Sequence, residues 1–541
     1  MQNQEHLPEF FRGRGQFRAP TRAFLVALLL GIYMDPCASR CAAAPQNILL
    51  IIADDYGVDS SSLYNSTNNG ATLPPTPNIA SLAASGVVFR NAYANPLCSP
   101  TRACLLTGRF GFRTGIGDVV QGSQAPLSAT EFTLPKAFST NGSPGYQLAQ
   151  FGKWHLASGI NTPLTVGGWT NYVGNLSGQL SDYYNWAKTS NGVTRTSTNY
   201  ATTDLVNDAT NWISARGTNA WFLWAAFNAP HTPFHLPPTN LCPHYANLSG
   251  TTNDINAQPV KYFHAMIEAM DTEIGRLLAA LPDRTNTHII FLGDNGTLGS
   301  VIQPPFSSAR GKDTLYEGGI HVPLIISGPA VVNPNRTNNT PANMVDVFAT
   351  ILEMAGSSVS AVVPSTVTID SQSLMPALQT TNTLSRYAYS ELFGAGVIPQ
   401  SAVGRTLRNS QFKLIRFTNK EEFYDLQNDP YETLNLLTNG LTATAQSNYF
   451  GLSLKLAGYQ SALAQPVIAG SGKTNLQFTA TVTRATNLTY KLWRASVLDD
   501  YLAWSPQTNA VVVTNGVTSV TLTDTNASGA QNFYRVVGTP P

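Results

Sequence analysis

Asn47-Ile48-Leu49-Leu50-Ile51-Ile52-Ala53-Asp54-Asp55 is the stretch that decides the fold. Five consecutive aliphatic residues leave no polar face for water. A strand half-buried in an antiparallel sheet would alternate, whereas an unbroken run reads as a strand covered on both faces of a parallel sheet. Residues 221–227, 288–292 and 322–326 read the same way. Between them the period changes: Tyr262, Met266, Met270, Ile274, Leu277 and Leu281 recur every three to four residues, as on one face of a helix. Asn343 is placed to cap a helix through Val347, Ile351 and Met354, with Gly356 at its C-terminal end. Buried strands alternating with helices imply a wound α/β sheet.

Outward from this unit the pattern shifts. Near residue 380, short strands at 387–392, 411–417 and 422–426 and a helix near 443–463 read as a small antiparallel subdomain. Gly470 and Gly472 read as a linker. After Asn475 the composition turns to Thr, Asn, Val and Ala in alternation, the mark of a small all-β module. The expected division is 1–44, 45–375, 376–465 and 466–541. At the N-terminus Arg12, Arg14, Arg18 and Arg22 precede an apolar run at 23–34, then Ala38, Ala42, Ala43 and Ala44. Basic, apolar, small is the order of a secretory signal peptide. The run is shorter than the roughly 20 residues of a membrane span. The expectation is export to a periplasmic, cell-surface or extracellular site, with no membrane span after cleavage.

The 541 residues carry 32 basic and 31 acidic side chains, a net charge of +1. So balanced a chain offers no general field for nucleic acid, and an anionic ligand must be met by a local site. Five cysteines are too few for a disulfide scaffold.

The chemistry gathers after the buried runs, where wound sheets build their sites. Asp54-Asp55 follow the first, Asn228-Ala229-Pro230-His231 the second, and Gly293-Asp294-Asn295-Gly296 the third. Asp54, Asp55, Asp294 and Asn295 are all oxygen ligands. They suit a hard dication, Ca²⁺ ahead of Mg²⁺, and lack the thiolates and imidazoles of a zinc site. Either pair alone reads more readily as a turn than as a ligand pair; both at strand ends reverse that reading to a metal centre. Cys98-Ser99-Pro100-Thr101-Arg102 opens a helix that Ser99 is placed to cap, with Pro100 in its first turn. There Cys98 reads as a buried structural cysteine or as a thiolate nucleophile at a helix N-terminus. Cys104 is a poorly oriented disulfide partner for it.

Cys98-Ser99-Pro100-Thr101-Arg102 with Thr107-Gly108-Arg109 resembles the signature of the formylglycine-dependent (type I) sulfatases. Gly152-Lys153-Trp154-His155, Pro230-His231-Thr232-Pro233-Phe234, Gly293-Asp294-Asn295-Gly296, Lys312 and Glu317-Gly318-Gly319 resemble that family's later motifs, in order. Phe423-Tyr424-Asp425-Leu426, Asp429-Pro430 and Asn435-Leu436 resemble its C-terminal subdomain, so the similarity spans about residues 46–465. The resemblance implies an alkaline-phosphatase-like α/β sandwich with a large mixed, mostly parallel sheet. It also implies that Cys98 is oxidised by a formylglycine-generating maturation enzyme to an aldehyde whose hydrate attacks sulfur, splitting one hard step into two.

The roles implied by the resemblance follow. Asp54, Asp55, Asp294, Asn295 and the modified Cys98 hold the calcium ion. Arg102 holds the hydroxyls of the modified residue. Lys153 and Lys312 stabilise charge on the sulfate, His155 drives regeneration of the aldehyde, and His231 donates a proton to the leaving oxygen. The chain departs from the family pattern at His321, where arginine is frequent, at Asp313, where glycine is common, and at Ala349, where proline is usual. His235, His244 and His264 read as structural, with His235 close enough to His231 to reach substrate. The aromatic stretch Asp182-Tyr183-Tyr184-Asn185-Trp186 reads equally as a sugar-stacking surface and as loop packing. Export, low charge and the β module suit a sulfated polysaccharide or oligosaccharide. The competing readings are a phosphonate or phosphodiester hydrolase of the same superfamily and a non-catalytic binder of sulfated glycan.

Overall fold

The computed structural model describes residues 45–121, 124–140, 145–394, 401–438 and 440–461, together with seven strands between residues 468 and 539. The segment read as an export signal, with Cys37 and Cys41, lies outside the described residues. Among the described residues no helix is long and apolar enough to cross a membrane.

A ten-stranded sheet organises the chain. Its order is Arg336–Asn338, Gly86–Phe89, Leu324–Ser327, Thr287–Gly293, Asn47–Ala53, Trp221–Ala226, Gln147–Gly152, Asn171–Gly174, Trp186–Ser190 and Val193–Ser197. The five strands from Thr287–Gly293 to Asn171–Gly174 run parallel. Antiparallel pairing enters on both flanks, including Leu324–Ser327, which the sequence had grouped with the parallel runs, while the edge strand Arg336–Asn338 runs parallel to Gly86–Phe89. Register decides where the chemistry emerges. Ile52 stands opposite Leu292 and Ala226, and Gly152 opposite Ala226, so four strands end level and their following loops share one edge.

The aliphatic run at 48–52 is buried on both faces because helices cover both. Leu49 and Ile51 meet the helices Ala201–Ser214 and Pro259–Ala279 through Leu205, Ile213, Met266 and Ile274. Ile48, Leu50 and Ile52 meet Cys98–Thr107 and Asp346–Met354 through Ala103, Leu106, Val347 and Ile351. Full burial of each such aliphatic side chain contributes roughly 1.5–3 kcal/mol.

Two expected caps are corrected. The first helix begins at Cys98, with Leu97 as its cap residue, not at Pro100. Ser99 is drawn elsewhere: its Oγ donates to the carbonyl of His155 at 2.8 Å and accepts from the Val120 amide at 3.0 Å. Asn343 lies in the short strand Ala342–Asn343, and Asp346 accepts from its amide at 2.9 Å, so the cap residue becomes Val345. Gly356 does lie just past that helix, with φ at 77°.

Beyond the core, Ala388–Leu392, Gly404–Arg408, Phe412–Phe417 and Glu421–Asp425 form an antiparallel sheet against the helix Ala443–Ser461. Gly404–Arg408 escaped the sequence reading because two arginines and a glycine dilute its pattern. Lys413 reaches from this sheet into the main unit, where it lies fully buried between Glu317 at 2.9 Å and Glu432 at 2.8 Å. The C-terminal strands form sheets of four and three. The glycines read as a linker lie inside the strand Ile468–Thr474, whose register shifts between Ile468 and Gly470. Glycine suits such an irregularity.

Candidate active site

Asp54 and Asp55 leave the central strand at its carboxyl end, and Asp55 takes a left-handed φ of 66°. That turn lets the Asp55 amide donate to Asp294 Oδ1 at 3.1 Å, locking the first and third loops together. The approach is tight: a Cβ on Gly293 would lie 2.1 Å from the Tyr56 carbonyl oxygen, so only glycine fits before Asp294.

The cations are laid over these acids. Lys153 Nζ lies 2.5 Å from Asp54 Oδ2 and Lys312 Nζ lies 2.6 Å from Asp55 Oδ1. Asn295 Nδ2 donates to the same Asp55 oxygen at 2.8 Å. Arg102, one turn along the helix from Cys98, is buried with its guanidinium on Asp294 and with Nη1 donating to the Lys153 carbonyl at 3.2 Å. His231 sits at the rim, its Nε2 3.8 Å from Asp55 Oδ2. Its Nδ1 lies 2.8 Å from the Thr232 carbonyl and therefore carries the hydrogen there, which leaves Nε2 as the face toward the site. His155 follows Lys153 with a left-handed φ of 57°, and its buried Nδ1 has no partner. The structure thus brings together every residue proposed from the sequence: Asp54, Asp55, Cys98, Arg102, Lys153, His155, His231, Asp294, Asn295 and Lys312.

The donor set fits a dication. Ligand atoms of Asp54, Cys98 and Asp294 lie within 4.8 Å of one another, as do those of Asp54, Asp55 and His231. Asp54 Oδ1 and Asn295 Oδ1 are buried with no hydrogen-bond partner. A buried oxygen left without a donor costs about 1–3 kcal/mol, and a cation is the partner that two such oxygens facing carboxylates call for. Electrostatics agree. Burial and the nearby Asp54 charge push the Asp294 carboxyl above the usual range, against the pull of Arg102 and Lys153. Burial opposes the charge on Asp55, but Lys312, His231 and Lys153 together hold it below that range. His155 and His231 are both pushed down by burial, His155 further by Lys153 and Arg102, so each favours the neutral ring. Burial pushes the Cys98 thiol up, although Lys153 and Lys312 pull against it. This is not the setting of an activated thiolate. Cys98, Cys104 and Cys242 are all buried and free, so the Cys98–Cys104 disulfide is absent.

Two residues take supporting roles that the sequence reading missed. Ser99 ties the helix carrying Cys98 to the His155 backbone. Tyr183, singled out for sugar stacking, is buried and donates its hydroxyl between the carbonyls of Asn228 at 2.8 Å and His231 at 2.7 Å. Trp186 is buried as well, leaving Tyr184 as the exposed ring of that stretch. His321 stacks on Tyr93 with ring centroids 5.0 Å apart and meets Glu317 at 3.2 Å, a packing role. His244 contacts Glu268, and His264 is buried.

Geometrically, two lysines, an arginine and an acidic cluster able to hold a cation surround one buried side chain, with two neutral imidazoles at its margin. Such a pocket receives a tetrahedral anion and stabilises charge developing on its oxygens. The family described as Sulfatase matches residues 46–357, and the family described as N-sulphoglucosamine sulphohydrolase, C-terminal, matches residues 310–451. A sulfatase of Formosa agariphila is 28% identical over 505 residues, covering 77% of this chain and 90% of the relative. An N-acetylglucosamine-6-O-sulfatase of Bacteroides thetaiotaomicron is 26% identical over 507 residues, covering 75% and 85%. The crystal structure of Ps i-CgsB in complex with k-i-k-neocarrahexaose has the same fold, with a TM-score of 0.64 at 24% identity over 78% of this chain and 94% of that one.

Proposed function

Because this chain belongs to the type I sulfatase family of the alkaline-phosphatase-like superfamily and is a sulfuric ester hydrolase, we propose that it removes sulfate from an extracellular sulfated glycan, using a formylglycine made from Cys98 beside a calcium ion. The observation that carries the site assignment is the pair of buried, unpartnered oxygens, Asp54 Oδ1 and Asn295 Oδ1, with ligand atoms of Asp54, Asp294 and Cys98 within 4.8 Å of one another. The glycan reading rests on relatives whose names specify amino-sugar sulfates.

A bound calcium ion supplies positive charge to a sulfate oxygen, and the converted Cys98 supplies a hydrate hydroxyl as nucleophile. The chain's own residues do the rest. Lys153 and Lys312, already paired with Asp54 and Asp55, sit where they also reach sulfate oxygens and offset the charge that grows on them. Arg102 holds Asp294 in place and keeps its charge among the ligands. His231, with Nδ1 committed to a carbonyl, presents Nε2 to the leaving oxygen and, once protonated there, gives that proton to it. His155 is kept neutral by its surroundings, as a base for the second hydroxyl must be. Residues 1–44 carry the export signal.

Peptide mass spectrometry on protein from its native host, followed by sulfate release from a panel of sulfated sugars, tests this. Conversion appears as a loss of about 18 Da at Cys98, the thiol-to-aldehyde change. Unconverted cysteine with full activity would remove the formylglycine. Faster turnover of phosphate diesters than of sulfates by converted protein would replace the substrate class.

A further inference from the structure

Building on the glycan reading, we propose that Tyr184 and Arg195 form a subsite for the sugar next to the one losing its sulfate, with Tyr184 as stacking platform and Arg195 as partner of an anionic substituent. The register places them on the active-site edge. Phe151 pairs with Val173, Val173 with Ser190 and Gly174 with Thr189. Residues 186–188 therefore continue past the carboxyl end of Gln147–Gly152, toward His155. Their partners in the hairpin, Arg195 to Ser197, stand at the same height.

The loop leading into this hairpin already lines the site. The His155 amide donates to the Leu176 carbonyl at 3.1 Å, and Gly178 lies so close that a Cβ there would meet the His155 ring at 2.4 Å. Tyr183 holds the His231 carbonyl, and Tyr184 is the next residue. The chain bends at 183–185, where the Tyr184 amide donates to Asp182 Oδ1 at 2.6 Å, and the bend turns the two rings apart. Tyr183 accordingly is buried under His231 while Tyr184 remains 39% exposed.

Tyr184 is also held rigid. Its hydroxyl donates to the Leu236 carbonyl at 2.8 Å, and its ring lies 5.1 Å from Tyr200 and 5.9 Å from His235. His235 is fixed in turn by the Tyr200 hydroxyl at 3.1 Å. A ring immobilised before binding loses little entropy when a sugar stacks on it. One residue before Tyr200, Asn199 lines a groove of about 530 Å³ shared with Lys188, Arg195, Ser197 and Asp204. Amide and hydroxyl walls suit sugar hydroxyls. Lys188 is neutralised there by Asp204 at 2.9 Å and Asp208 at 2.7 Å. The Arg195 side chain is exposed and makes no ion pair or hydrogen bond among the described residues, and a guanidinium is the side chain best matched to a sulfate or carboxylate.

The test is binding, so that it does not depend on turnover. Tetrasaccharides of carrageenan, chondroitin sulfate, heparan sulfate and fucoidan are titrated calorimetrically into Cys98→Ala protein with calcium. At least one should bind, and adding Tyr184→Ala should weaken it about tenfold, with Tyr184→Phe near the parent. Arg195→Ala should weaken it by a similar factor at low salt and less at high salt. In converted protein neither change should alter hydrolysis of 4-nitrophenyl sulfate. Failure of all four tetrasaccharides to bind, or Tyr184→Ala binding within twofold of the parent, overturns the subsite. Loss of 4-nitrophenyl sulfate hydrolysis in converted wild-type protein would instead strike the catalytic reading.

Discussion

Arg102 directs two donors at a single oxygen of Asp294, with Nε at 3.0 Å and Nη2 at 2.7 Å from Oδ2. That leaves Asp294 Oδ1 turned to the Asp55 amide. The arginine therefore fixes which way a proposed metal ligand faces. A lysine keeps the charge but cannot supply two parallel donors or also reach the Lys153 carbonyl. Arg102→Lys should lower kcat/KM roughly 100-fold through misplacement of Asp294 and its neighbours. Arg102→Ala, which leaves a buried carboxylate uncompensated, should destabilise by about 3–5 kcal/mol. Urea unfolding and steady-state kinetics read the two effects. A lysine variant within threefold of wild type would mean that charge alone is needed.

The buried, unpartnered oxygens of Asp54 and Asn295 predict linkage between calcium and stability. At a calcium concentration 100 times the dissociation constant, folding should gain about 2.7 kcal/mol, seen as a rise in Tm that chelator reverses. Magnesium should give less, since it demands a stricter octahedron. Asp54→Asn should remove most of the calcium-dependent rise. Equal rises with both ions would make the site one for divalent ions generally.

Gly178 predicts a fault at His155 that leaves the fold standing. Its φ is ordinary, so alanine is no backbone problem, but the new Cβ would collide with the imidazole. Gly178→Ala should displace that ring and lower kcat roughly 100-fold with a Tm within a few degrees of wild type. Unchanged kcat would free His155 from the catalytic set.

Glu391 predicts a pH dependence of stability. It lies buried between the Phe112 amide and the Tyr389 hydroxyl, each 2.9 Å away, and burial raises its carboxyl to about 7. Unfolded, it would titrate near the usual value of about 4.3. Between those values the native state binds more protons than the unfolded chain, so stability falls as pH rises and levels off above pH 7. The effect is on the order of 3 kcal/mol. Glu391→Gln should flatten that decline in denaturant titrations from pH 4.5 to 8. A variant that declines as steeply as wild type would move the effect to another group, with Asp346, raised to about 6, as the first to examine.

Strand ends were the most legible part of the sequence. An aliphatic run followed by acids marks both an element and its boundary, so Asp54 and Asp294 could be placed on one edge before any coordinates. Helix caps were less legible because capping residues have competing partners: Ser99 bonds to His155 across the fold, and Asp346 captures the amide of Asn343. The short flanking strands, such as Gly404–Arg408, carry too few apolar residues to stand out. Lys413 was invisible for a deeper reason. A lone lysine in a strand reads as solvent-facing, and only the fold supplies Glu317 and Glu432 from distant segments. Tyr183 and Tyr184 read alike in sequence, and the tertiary structure alone separates a buried brace from an exposed ring.

Cys98 is 1% exposed in the folded chain. On the proposed chemistry, a second enzyme must nevertheless reach its sulfur. Asp294, which closes one side of the site, is made about 200 residues after Cys98, a delay of roughly 10–40 s at ordinary synthesis rates of 5–20 residues per second. The order of the chain thus opens a time window in which the cysteine is accessible and Asp294 and Asn295 do not yet exist. Maturation and folding are competitors, and a host that folds the chain quickly without modifying it would accumulate well-folded protein whose sulfur can no longer be reached.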